Sequence, residues 1–171
     1  MNLTQKEQYL LEDQKSHEEM CIKKYTNYIQ QAQDPELKQM FQTHAQHEKQ
    51  HLNSINQILS GTVPSVSQGQ QGGQSQQGMQ AQHQNQQNQK TNQATMQAGN
   101  QQTGMINQSD ADLCQDVLAA EKYVSGTYDT AIFEFRDTNI RQVLNHIQKE
   151  EQQHGENIFN YMQRKGMYNP Q

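Results

Sequence analysis

The sequence predicts an all-α protein, a four-helix bundle made of two copies of one helical hairpin joined by a long Gln-rich linker. Three observations predict it. A Glu…Glu-x-x-His pattern occurs twice at one internal spacing. Apolar residues recur at helical intervals on both sides of the middle of the chain. The middle itself has almost no large apolar side chains. The pattern is the most specific of the three. Glu18 is followed 30 positions later by Glu48-Lys49-Gln50-His51, and Glu121 is followed 30 positions later by Glu151-Gln152-Gln153-His154. Adding 103 to each residue of the first set gives the second. The expected organisation is a first hairpin over 1–61, a linker over 62–108 and a second hairpin over 109–171.

The first helix can start at Thr4, whose hydroxyl caps Glu7 in a Thr-x-x-Glu capping box. Leu11, Gln14, Glu18, Ile22, Tyr25 and Ile29 then recur at helical spacing. Asp34-Pro35 breaks the run, because Asp caps the next helix and Pro fits its first turn. Leu37, Phe41, His44, Glu48, His51, Ile55 and Leu59 form the second stripe, which ends at Gly61. In the second hairpin, Ser109 or Asp110 is expected to cap a helix bearing Cys114, Val117, Glu121, Val124, Tyr128 and Ile132. Asp137-Thr138-Asn139 makes the turn. The fourth stripe is Ile140, Leu144, Ile147, Glu151, His154, Ile158 and Tyr161, ending at Gly166.

Only 31% of the 171 residues are hydrophobic, and the deficit lies mainly between residues 60 and 108. That stretch is mostly Gln, Asn, Gly, Ser and Thr, so it cannot offset its own ordering entropy and is expected to be disordered. Crossing a helix of ~42 Å needs only ~12 extended residues at ~3.5 Å each. The linker therefore permits an up-down-up-down path, a crossover path, or hairpins exchanged within a homodimer. The net charge is −5 and there is no Lys/Arg stripe, which argues against nucleic acid as a partner. No apolar run is long enough to span a bilayer. The N-terminus lacks the apolar region of a secretory signal, so synthesis in the cytoplasm is expected. Cys21 and Cys114 are neither a disulfide framework nor a thiolate metal site, and they read as small core residues, with a crosslink or redox role as the other reading.

Two helices bearing Glu and two bearing Glu-x-x-His supply the ligand set of a dinuclear carboxylate site in a helical bundle. Glu18 lies 16 residues before Asp34, while Glu48 and His51 lie 14 and 17 after it. Antiparallel helices rising ~1.5 Å per residue bring these three to one level, and Glu121, Glu151 and His154 stand in the same relation to Asp137. Positions i and i+3 share a helix face. Four carboxylates and two imidazoles suit iron or manganese, and two divalent ions neutralise four carboxylate charges. Glu48 and Glu151 are expected to bridge the ions. Glu18 and Glu121 would bind terminally, and His51 and His154 would give one nitrogen to each ion. Ferroxidase, peroxidase and catalase chemistry all stay open.

Around this set, Tyr25 and Tyr128 lie two turns beyond Glu18 and Glu121 on the same face. They read as core residues with a hydrogen-bonding or radical role available. His44, one turn before Glu48, reads as a buried, hydrogen-bonded histidine, with an extra ligand or a group standing behind the ligands as the other readings. Glu19 and Glu150 point off the stripe as solvated charges, and His17, His47 and His146 read as surface residues.

The doubled ligand pattern resembles that of the ferritin-like superfamily. A closer resemblance is to the Coat F family of spore coat proteins. It is carried by Asp112-Leu113-Cys114-Gln115-Asp116-Val117-Leu118-Ala119-Ala120-Glu121-Lys122-Tyr123, by Thr127-Tyr128-Asp129-Thr130-Ala131, by the run from Asn145 to Asn157, and by Tyr161-Met162-Gln163-Arg164-Lys165-Gly166-Met167-Tyr168. Leu10 to Glu18 and Gln46 to Leu52 are similar to the first half of related coat proteins. The resemblance implies a ferritin-like fold, a place in the sporulating mother cell and then the spore coat, and other coat proteins as partners. Two functional classes follow. One is a coat protein that keeps a dimetal centre acting on iron, oxygen or peroxide. The other is a purely structural coat protein whose bundle is a scaffold and whose Gln-rich linker joins or crosslinks.

Overall fold

The computed structural model describes residues 2–65 and 107–168. These form four helices and no strand: α1 (Gln5–Gln31), α2 (Pro35–Leu59), α3 (Gln108–Glu134) and α4 (Thr138–Arg164). The expected disordered linker falls almost wholly outside the described residues. No described helix is long and apolar enough to cross a membrane.

Local chemistry sets the helix ends. Thr4 Oγ1 accepts from Glu7 N at 3.2 Å, while Glu7 Oε2 accepts from Thr4 N at 2.7 Å, so two orphan donors of α1 are satisfied reciprocally. Asp34 caps α2 through Glu36 N, with Pro35 in the first turn. Gly61 and Gly166 follow α2 and α4 at φ +95° and +69°, a region open to glycine at little cost. There the chain closes with bonds from Thr62 N to Gln57 O and from Met167 N to Met162 O.

Two expectations at the second hairpin need correction. Asn107, not Ser109 or Asp110, caps α3, because the Asp110 carboxylate is committed elsewhere. It accepts from Gln33 N at 2.8 Å and from Asp34 N at 2.9 Å, across the bundle. Asp137 caps α4 through Asn139 N at 2.7 Å, so Thr138 and Asn139 lie inside the helix and not in the turn. Glu7 mirrors Asp110: its carboxylate accepts from Arg136 N at 3.0 Å, and both partners are related to Asp110 and Gln33 by the same 103 positions.

α1 packs on α2 and α3 on α4, and the two hairpins meet through α1 against α3 and α2 against α4. The start of α1 lies beside the end of α3, with Lys6 Nζ 2.5 Å from Glu134. The end of α4 lies beside the start of α2, where Asp34 Oδ2 takes Lys165 Nζ at 2.7 Å and Tyr161 Oη at 2.9 Å. These contacts make α1 antiparallel to α3 and α4 antiparallel to α2. Hence α2 and α3 run parallel, and the end of α2 and the start of α3 lie at opposite ends of the bundle, ~37 Å apart along its axis. Of the paths open to the sequence, this is the crossover.

The core is two apolar clusters. One includes Leu11, Ile55, Val124, Tyr128 and Leu144; the other includes Tyr25, Leu37, Phe41, Val117 and Ile158. Along every helix the sequence passes from one cluster to the other through a candidate ligand, as in Leu11, Glu18, Tyr25 or Phe41, Glu48, Ile55. A polar layer is thus enclosed between two apolar plugs. Each fully buried aliphatic side chain of the plugs contributes ~1.5–3 kcal/mol, which offsets what the polar layer costs. Cys21 and Cys114 are buried free thiols in these clusters, as expected.

Candidate metal centre

All six candidate ligands are at most 2% exposed. They fall into two overlapping groups, each offering ligand atoms within 4.8 Å of one another: Glu18, Glu48, His51 and Glu151, and Glu48, Glu121, Glu151 and His154. Glu48 and Glu151 belong to both groups. His51 Nδ1 lies 3.0 Å from Glu151, 3.4 Å from Glu18 and 3.5 Å from Glu48. His154 Nδ1 lies 3.0 Å from Glu48, 3.7 Å from Glu121 and 3.9 Å from Glu151. Ligand atoms ~2.1 Å from a cation sit ~3.0–3.4 Å apart in tetrahedral or octahedral shells, so much of this spacing fits a coordination shell.

The polar accounting agrees. Among the described residues, eight buried side-chain N or O atoms lack a hydrogen-bond partner: Glu18 Oε2, both oxygens of Glu48 and of Glu151, Glu121 Oε2, and Nδ1 of His51 and His154. Every one belongs to the six predicted ligands. The two 3.0 Å His–Glu approaches have the length but not the angles of hydrogen bonds. A native interior leaves few such atoms, and each costs ~1–3 kcal/mol.

Everything on the outer side of the cluster is satisfied. Tyr25 Oη donates to Glu121 and Tyr128 Oη donates to Glu18, each phenol crossing to the other hairpin. Burial first, then the facing carboxylates, hold both phenols well above their ordinary pKa, so they stay donors. Since Tyr25 gives its proton to Glu121, His44 Nδ1, 3.2 Å from the phenol oxygen, carries a hydrogen and donates to it. Burial, with His154 next, lowers His44 to about 3. It is a neutral histidine stacked on His154 at 4.2 Å between ring centroids, and it is not among the ligand groups.

The outward nitrogens of the two candidate imidazoles are also engaged, by residues that read from sequence as solvated. His51 Nε2 is 2.8 Å from Glu150 Oε2, and His154 Nε2 is 3.0 Å from His47 Nδ1. Both readings are corrected: each side chain reaches across to the imidazole of the opposite hairpin. Positions 47 and 150 are themselves related by 103, so the signal was the residue directly before each Glu-x-x-His. An outer partner on the distal nitrogen fixes the tautomer that points Nδ1 inward. His146 stays largely exposed, 3.5 Å from Glu150. His17 is half-buried beside Thr127 and edge-on to Tyr123, so it too is more than a surface residue.

Without a cation, protons must balance the carboxylates. Burial raises Glu18 to about 7 in spite of its His51 neighbour, and burial likewise pushes Glu151 well above the ordinary carboxylate range. Burial works against charge on Glu48 and on both imidazoles as well. For Glu48 it is outweighed by His154 and His51, which hold the carboxyl low. For His51 it is outweighed by Glu150 and Glu151, which raise the imidazole well above 6.5, and for His154 by Glu121 and Glu48, which raise it to about 9. The cluster can therefore hold positive charge at its centre, as protons or as metal.

Residues 109–171, which carry α3 and α4, match the Coat F domain. No curated protein and no solved structure matches the chain.

Proposed function

We propose that this chain, a spore coat protein by the Coat F domain at residues 109–171, holds two divalent iron or manganese ions at the centre of a ferritin-like bundle. The observation that carries the reading is that all eight orphaned buried polar atoms sit on the six residues of the doubled Glu…Glu-x-x-His pattern. Glu48 and Glu151, common to both groups, would bridge the pair. Glu18 and His51 would complete one position, and Glu121 and His154 the other. Tyr25 and Tyr128 hold the terminal carboxylates in place through one oxygen each and leave the other to face inward. Glu150 and His47 fix the imidazoles from behind. Two apolar plugs exclude bulk water, which strengthens every electrostatic contact inside. When bound, an iron or manganese pair supplies two electrons to dioxygen or a peroxide. Protein of this kind would serve the spore coat beside other coat components, after synthesis in the mother cell.

Elemental analysis of protein produced with iron and with manganese tests this. About two ions per chain are expected, and they should be lost in a Glu48→Ala/Glu151→Ala double variant that remains helical. Metal at background level in the natural chain, or an unchanged content in the variant, overturns the centre and leaves the scaffold reading.

A further inference from the structure

We infer that the groove between α3 and α4 at Gly155 is the entrance through which an uncharged hydroperoxide reaches the carboxylate cluster, with room for an apolar tail. This rests on the dimetal reading above and names a substrate class for it. The groove encloses about 520 Å3, and its lining includes Leu118, Ser125, Gly155 and Phe159 together with two candidate ligands, Glu121 and Glu151. Two side chains of an otherwise buried centre thus form part of its wall, and the groove ends on them, since Glu121 Oε2 and both Glu151 oxygens remain covered.

Gly155 is the informative residue. Glycine weakens a helix interior, so its place in α4 asks for a reason. Its backbone does not need positive φ, and a Cβ built there meets only Leu118 Cδ1 at 3.7 Å and Glu121 Cβ at 3.9 Å, ordinary contacts. What the glycine supplies is open space over Glu121. The positions that 103 relates to Gly155 and Ser125 are Leu52 and Ile22, both half-buried and both large enough to fill the corresponding gap over Glu18. The opening is therefore one-sided, on the second hairpin.

The walls choose the substrate. The lining also holds Lys122, Gln152 and Glu156, one charge of each sign that together leave no net preference for an ion. Leu118 and Phe159 disfavour hydrated anions, because desolvating a charge against apolar surface is costly. A hydroperoxide is uncharged, and its polar head can meet the centre while a hydrocarbon tail lies along the groove. The volume is far more than hydrogen peroxide needs and falls within the range of sites for small organic molecules. In a single oxidation of the reduced protein the O–O bond breaks and two divalent ions would each lose one electron. Two protons are taken up, and the products are an alcohol and water, or two waters from hydrogen peroxide.

The test compares the natural chain with Gly155→Leu, Ser125→Leu and a control, Gly126→Leu, at a glycine with nothing within 4 Å. Three quantities are read: manganese affinity by titration, water-proton relaxation of the manganese-loaded protein, and the rate at which the ferrous protein is oxidised by hydrogen peroxide and by cumene hydroperoxide. All four proteins should bind manganese equally. Gly155→Leu and Ser125→Leu should lower the relaxation and slow cumene hydroperoxide about tenfold or more, a loss greater than for hydrogen peroxide, while Gly126→Leu behaves as the natural chain. If Gly155→Leu does not fold, Ser125→Leu decides from the opposite wall. Manganese bound normally with unchanged rates for both peroxides overturns the entrance alone. A natural chain that binds no manganese overturns the dimetal reading and the entrance with it.

Discussion

Replacing Glu48 and Glu151 together by leucine is expected to raise the melting temperature in chelator and to abolish the response to metal. These two residues carry four of the eight orphaned buried atoms. At ~1–3 kcal/mol each, the eight amount to a gross cost of order 10 kcal/mol, comparable to the whole stability of a typical domain. Proton sharing between the carboxylates and the imidazoles recovers part of this, and exchanging a buried ionic set for apolar side chains of similar volume typically gains ~1–4 kcal/mol. At ~3 °C per kcal/mol for a chain of this size, the double leucine variant should melt ~3–12 °C above the natural chain in EDTA. Glu18 and Glu121 keep their tyrosine donors in the variant, and His51 and His154, which lose Glu151 and Glu48, still face Glu18 and Glu121 at 3.4 and 3.7 Å. With free manganese at ~1,000 times its dissociation constant, the natural chain should gain ~4 kcal/mol, enough to erase or reverse the difference, while the variant stays put. Differential scanning calorimetry in both conditions gives four numbers. A double variant less stable than the natural chain in EDTA, with neither protein responding to metal, refutes the argument that the layer is built for cations.

Three further outcomes follow from the same contacts. Tyr25→Phe and Tyr128→Phe each take a donor from a buried carboxylate and should cost ~1–3 kcal/mol; Tyr25→Phe should cost the more because His44 also loses its partner, as read from urea midpoints. Glu150→Gln weakens the carboxylate behind His51 and should reduce the affinity of the first ion position ~10–100-fold in a metal titration, leaving the second. At Glu7, burial alone would raise the carboxyl, but donors from Thr4 and Arg136 outweigh it and hold the pKa at about 2, below its ordinary 4.5. Its stabilisation is therefore full above about 4.5 and is lost as pH falls towards 2. Glu7→Gln should cost stability at pH 6 and progressively less at pH 3, and an equal cost at both would contradict the assignment.

The parts of the site legible in the sequence were those that repeat along a helix. The i, i+3 spacing of Glu48 and His51 puts both on one face whatever surrounds them, and the distances to Asp34 and Asp137 set the level of Glu18 and Glu121 by helical rise alone. Thr4, Asp34, Gly61 and Gly166 act on their own neighbours, so their roles could be read directly. Asp110 failed as a cap because its carboxylate had a partner 76 positions away in the chain, at Asp34 N.

Tyr25 lies on the same helix face as Glu18, yet its phenol bonds Glu121, because seven residues of rise separate it from its own glutamate while the neighbouring helix passes beside it. His47 and Glu150 lie off the stripe of their own helices, and that stripe records only what faces the centre of the bundle. The flank of α2 meets the flank of α4, and there an off-stripe residue stands behind the other hairpin's imidazole. The same holds for the direction of α3 relative to α2 and for the opening at Gly155. Helical periodicity and capping act within a few residues of chain and so determined the helices and the faces that carry the candidate ligands. Which helix each face meets depends on how the hairpins dock, and only the folded bundle could decide it.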